Sequence, residues 1–168
     1  VHTALLTVHV LAGAVGLLIA WPVLLVRKGR AHRVLGRVYG VTTMLLCASA
    51  LGLWAYRPAE LAGFAGIAVG TAMAAGAGIA LAMRRPRGWL VPHLTLMGSS
   101  VIAFVTAFAV QMTDFSLLAW ILPTVLGSPL IAYRTMVAKG VAPPPGKLAQ
   151  LVINRLPDRA PQQAPRAG

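Results

Sequence analysis

The sequence predicts an all-α fold: a polytopic transmembrane helical bundle of five spans, with its N-terminus outside and its C-terminus cytoplasmic. Three observations predict it. Residues 3–26, 38–56, 61–83, 88–113 and 115–133 contain no Asp, Glu, Lys or Arg. Each stretch is near or above the ~20 residues that a helix needs to cross a ~30 Å hydrocarbon core. The composition agrees, since 58% of the residues are hydrophobic and only 11% are charged, whereas soluble domains carry about 25% charged residues. Finally, fourteen of the fifteen Lys and Arg residues fall in alternate connectors, at the end of span 5 and in the tail, the asymmetry that marks cytoplasmic loops.

Helices are the expected form because a helix satisfies its own backbone groups in lipid. A transmembrane barrel would alternate polar and apolar residues, and no such alternation appears. The net charge of +12 comes in short clusters between apolar stretches, so it reads as membrane topology and not as nucleic-acid affinity. The bundle is expected over residues 1–137, with spans at 3–26, 34–56, 61–83, 90–112 and 116–136. A basic, Pro-rich cytoplasmic tail follows over 138–168.

Span 1 lacks a basic n-region, and its apolar stretch exceeds a signal-peptide core, so a retained helix is expected. Pro22 lies near its inner end, and Gly13, Gly16 and Ala20 offer a surface of small residues. The connector holding Arg27, Lys28 and Arg30 leads to His32 and span 2. The tight loop from Arg57 to Glu60 makes spans 2 and 3 antiparallel neighbours. On span 3, Gly66, Gly70, Ala74 and Gly78 recur every four positions, the small-xxx-small device of close helix packing. Arg84, Arg85 and Arg87 form the next inner turn, and Asp114 marks the outer turn before span 5. Span 5 carries Pro123, Gly127 and Pro129, so a kink or local unwinding is expected. In the tail, residues 147–156 place Leu148, Leu151, Val152 and Leu156 towards one face, as an interfacial helix would, with disorder the alternative. Trp and Tyr residues gather near the expected boundaries, where amphipathic rings settle.

Absences narrow the chemistry. No carboxylate lies inside a span, which weighs against proton- or cation-coupled transport. There is no HExxH zinc signature, no P-loop and no dinucleotide fingerprint. Gly98-Ser99-Ser100 is not a G-x-S-x-G nucleophile context. The single cysteine, Cys47, lies in mid-span 2 and reads as a small buried hydrophobe.

The histidines carry the remaining signal. His9 lies ~9 Å below the outer boundary of span 1 at 1.5 Å per residue. It reads as an interhelical hydrogen bond or as a ligand or proton carrier. His32 shares a helical face with Gly36 and Tyr39, and Arg33 and Arg37 stack beside it at a helix N-terminus. That arrangement suits a lipid phosphate or another anion, or simply anchors the inner boundary. His93 opens span 4 with Met97 one turn later, a pair able to ligate haem or copper, although methionine in an apolar helix more often packs. His93 lies ~7 Å from the inner boundary, so it and His9 differ by roughly 15 Å in depth, too far to share one iron. His32 and His93 are both on the inner side, so a metal or haem site within one chain would rest on them.

The combination His9-x-x-x-Gly13, His32-Arg33-x-x-Gly36-Arg37-x-Tyr39 and His93-x-x-x-Met97 resembles a family of bacterial membrane proteins, the domain-of-unknown-function family numbered twenty-three-oh-six. The resemblance covers roughly residues 5–112 and is carried mainly by the HR-x-x-GR-x-Y segment. It implies a small multi-span inner-membrane protein with recurring boundary histidines, and it brings no activity with it.

Three functions follow in order. The first is a non-enzymatic accessory or lipid-contacting bundle, with anionic lipids and a membrane protein as partners and no nucleic acid. The second is a haem- or metal-binding redox protein using His32 and His93. The third is a small-solute transporter built around span 5.

Overall fold

The computed structural model describes residues 2–26 and 29–147. It is all-helical over the described residues, with α1 at His2–Leu25, α2 at Arg30–Trp54, α3 at Pro58–Arg84, α4 at Leu90–Met112 and α5 at Leu117–Ala138. All five are long and apolar enough to cross a membrane, the architecture of a multi-pass membrane protein. Most of the basic tail, including the expected interfacial segment, lies outside the described residues.

Three expectations are adjusted. First, α2 begins at Arg30, so His32 and Arg33 lie within its first turns instead of at its edge. Second, α5 runs unbroken through Pro123 and Pro129, so the expected local unwinding is not present. Each proline lacks the N–H that would reach the carbonyl four residues earlier, so Ala119 and Val125 lose their usual helical donors.

Third, the small-residue face of α3 divides in two. Gly78 is buried against α4, whereas a Cβ added at Gly66 or Gly70 would meet nothing within 4 Å. Only the later part of the stripe packs inside the chain.

Side-chain contacts set the register. Gly52 faces Leu5, Gly13 faces Leu46, and His32 reaches Val23, so α1 and α2 run antiparallel. Gly40 against Ile79 and Gly76 against Met44 give the same relation for α2 and α3. The helices therefore pack in sequence order, each on the next, and α1 closes back onto α4. The closure needs Gly16, where a Cβ would lie 2.9 Å from the Phe104 ring. α5 has only α4 as a backbone neighbour and forms a fifth, outlying helix.

The two ends of the bundle differ in charge. Arg30, Arg33, Arg84, Arg85, Arg87 and Lys139 gather at one end, called the basic end below, and all are exposed. The opposite end holds Asp114 and the Arg57–Glu60 ion pair at 3.3 Å. There the turn into α5 places Asp114 and Phe115 in the left-handed region, with φ of 46° and 65°. Phe115 packs edge-on against Phe64 of α3, with ring centroids 5.8 Å apart. At the basic end α5 stops in a Schellman motif, in which Val141 donates to the Met136 carbonyl and Gly140 to that of Val137. Gly140 has φ of 75°, which a glycine adopts without steric cost.

Candidate functional site

Tyr39 lies at the centre of the bundle. Its side chain is fully buried, and its hydroxyl lies 3.1 Å from Ser100 Oγ on α4. Ser100 donates to the Met97 carbonyl at 2.8 Å, which leaves its oxygen to accept the Tyr39 proton. This bond joins α2 to α4, which are not backbone neighbours. It also gives a level mark between two helices that run in the same direction.

His32 and His93 each lie seven residues before a member of that pair, about 10 Å towards the basic end on its own helix. Seven residues are close to two full turns, so each histidine shares a face with the residue that marks its level. The fold thus sets both at one level, on faces turned towards the same interior. It does not join them, because each ring is held by a different neighbour. His32 Nδ1 lies 3.0 Å from the Val23 carbonyl, near the C-terminus of α1, where helix carbonyls lack intrahelical donors. His93 Nδ1 lies 2.8 Å from the Gly78 carbonyl of α3.

Carbonyl oxygens only accept, so both Nδ1 atoms carry the proton. In a neutral ring each Nε2 is then an acceptor, the form in which imidazole binds a metal. Among the described residues, neither Nε2 has a hydrogen-bond partner and neither is sealed from the surface.

Gly78 is the seat of the α4 side. Its carbonyl holds the His93 ring, and a Cβ there would lie 2.7 Å from Met97 Sδ. Met97 therefore packs over α3. The His93 ring also rests beside Trp89, with centroids 5.5 Å apart, and the Arg85 guanidinium lies 5.7 Å from the Trp89 ring centre. This sequence of cation, indole and imidazole leads from the surface to the histidine. Trp89 stood out in the sequence only as a boundary aromatic, and its spacing of four from both Arg85 and His93 was the available signal.

Arg33 and Arg37 are exposed one turn apart on α2. The helix start has no side-chain cap, so its first N–H groups remain open. No carboxylate accompanies these cations among the described residues of the basic end. Gly36 faces α1, with Val23 Cγ2 4.0 Å from a Cβ placed there.

His9 is remote from this group. Its Nδ1 lies 3.2 Å from Ser49 Oγ, and Ser49 donates to the Leu46 carbonyl at 2.9 Å, so the histidine is the donor. Ser49 is ten residues beyond Tyr39, which places His9 about 25 Å from the level of His93. Ser49 went unnoticed in the sequence, although the antiparallel register about the first connector pairs it with His9. Among the described residues no three His, Cys, Asp or Glu side chains converge on one point, so protein side chains there form no three-ligand metal site.

No family model, no curated protein and no solved structure matches this chain.

Proposed function

We propose that the chain is a non-enzymatic accessory bundle of the bacterial cytoplasmic membrane, anchored on anionic lipid through its basic end. In this reading the N-terminus is outside and the basic end faces the cytoplasm, as the distribution of Lys and Arg favours. The observation that carries it is the set of exposed guanidinium groups at that end, including Arg33 and Arg37, with no carboxylate among the described residues to neutralise them. The open N–H groups at the start of α2 lie beside the same cations and favour a phosphate. Each of the three span histidines is engaged in joining one helix to another, which supports a structural role for them.

Native mass spectrometry after extraction from mixed lipid tests the proposal. Phosphatidylglycerol should be retained in preference to phosphatidylethanolamine, and Arg33→Gln with Arg37→Gln should reduce that preference several-fold. Equal retention of the two lipids by the unaltered protein would overturn it.

A second reading, haem or copper at His32 and His93, is favoured by their common level and their fixed tautomers. Purified protein from cells supplied with haem and copper should then be coloured or metal-loaded, and His93→Asn should abolish the signal. A colourless, metal-free preparation would remove this reading and leave the first intact.

A further inference from the structure

A groove of about 400 Å³ lies between α3 and α5 with α4 as its floor, in the size range of small-molecule sites. Its wall includes Ile67 of α3, Ser99 and Thr106 of α4, and Trp120, Thr124 and Ser128 of α5. We propose that it binds a neutral, lipid-soluble molecule with a planar carbonyl-bearing ring, of the isoprenoid-quinone type.

The groove opens to the side because α5 has no backbone contact with α3. A molecule dissolved in the bilayer can therefore enter without passing through water. At one end, Phe64 and Trp120 span the gap with ring centroids 6.3 Å apart, which supplies aromatic surface for a flat ring. None of the lining residues is ionisable, so the occupant is neutral.

The hydroxyls give the second, independent observation. Thr42, Ser49, Ser100 and Thr135 each donate to a carbonyl of their own helix. Ser99, Thr106, Thr124 and Ser128 make no such bond, and Thr106 Oγ1 is buried without any partner. Thr106 is only 6% exposed. Threonine in a helix has two favoured χ1 rotamers, so a rotation can turn this hydroxyl towards the groove. Thr106 is the buried one of the four, while Ser99, Thr124 and Ser128 are exposed along the groove, and hydroxyl donors so placed suit a ligand that brings carbonyl oxygens.

Depth chooses between carbonyl sources. Thr106 is about 9 Å from the end of α4, Thr124 about 10 Å and Ser128 about 16 Å from the start of α5. Phospholipid ester groups lie in the interface, outside the ~30 Å hydrocarbon core, and would leave these hydroxyls against acyl chains. A quinone ring travels within the hydrocarbon and reaches that depth. This inference uses none of the residues of the basic end and stands apart from the lipid-anchoring proposal.

The experiment titrates the purified protein in detergent with a decyl-tailed benzoquinone and reads quenching of tryptophan fluorescence. Saturable quenching is expected, with Trp120 contributing, so that Trp120→Phe lowers its amplitude. Thr106→Val with Thr124→Val should raise Kd about tenfold, the loss of two ordinary hydrogen bonds. Decylbenzene, which has the tail and no carbonyl, should compete at least tenfold more weakly. Non-saturable quenching, an unchanged Kd in a folded double variant, or equal competition by decylbenzene would each overturn the proposal. So would an abundant disulfide between two Ser128→Cys chains whose yield quinone does not lower, since a second copy would then occupy the groove. Melting temperature reports whether the double variant folds, and the competition on the unaltered protein decides the matter if it does not.

Discussion

Tyr39 shows how one polar side chain can organise a bundle with an apolar exterior. A buried hydroxyl in hydrocarbon surroundings needs a partner, and Ser100 supplies it from a helix that is not a backbone neighbour. Tyr39→Phe leaves the ring contact with Phe104 in place and removes the hydroxyl bonded to Ser100. It should cost about 1 kcal/mol, the usual range for an interhelical hydrogen bond in membranes, read as a lower melting temperature in detergent. Thr43 presents the opposite case. It is fully buried, and its Oγ1 has no hydrogen-bond partner. Thr43→Val keeps the shape and removes the unpaired hydroxyl, so the melting temperature should stay level or rise, and a clear fall would show that the hydroxyl is bonded. The sequence displayed Tyr39 as one member of a basic-end motif with His32 and Arg33. Its partner was not legible there, because Ser100 is separated from it by two helices and only the folded register brings them to one level. His9 and Ser49 are different: they belong to adjacent helices, and a hairpin drawn about the first connector already pairs them.

Among the elements, α4 and α5 have the most explicit interlock. A Cβ at Gly98 would lie 2.6 Å from Ile131, and a Cβ at Gly127 would lie 2.6 Å from Ile102. Glycine and isoleucine are four residues apart on each helix, so one antiparallel face carries a hole and a knob that match the other's. This pairing is the main attachment of α5, because α4 is its one backbone neighbour. Gly127→Leu forces a side chain into the place of Ile102 and should destabilise the protein by about 1–3 kcal/mol. Limited proteolysis should then release α5 while α1 to α4 stay together, and simultaneous loss of all five would show that α5 is needed by the rest. In the sequence, Gly127 stood beside two prolines and read as part of a break. Composition could not separate a glycine that loosens a helix from one that receives a neighbour's side chain; the helix continues, and the glycine receives Ile102. The five elements themselves were legible because length and lack of charge settle them without any knowledge of partners. The division of the α3 stripe was not, since Gly66 and Gly78 are alike in sequence and differ only in what α4 reaches.

Across the whole molecule, the two ends differ in charge. Antiparallel packing brings Arg30, Arg33 and the cluster of Arg84, Arg85 and Arg87 to one end, and leaves Glu60 and Asp114 at the other. Five helices place the described N-terminal residues and the start of the tail at opposite ends. Tyr133 donates to the Pro143 carbonyl at 2.9 Å, which holds the first part of that tail against α5 at the basic end. Lys and Arg resist translocation, and they bind anionic headgroups once retained. The basic end should therefore lie in the cytoplasm, and cysteine mapping checks this in a Cys47→Ala background. The native thiol is buried in α2, so its removal should not alter the topology. Glu60→Cys and Pro86→Cys then place one thiol in each of two short connectors, both exposed. In intact cells made permeable only at the outer membrane, a charged maleimide should modify the Glu60→Cys protein and spare the Pro86→Cys protein until the inner membrane is disrupted. The reverse pattern would invert the molecule, and would move the Arg33 and Arg37 surface to the outer leaflet.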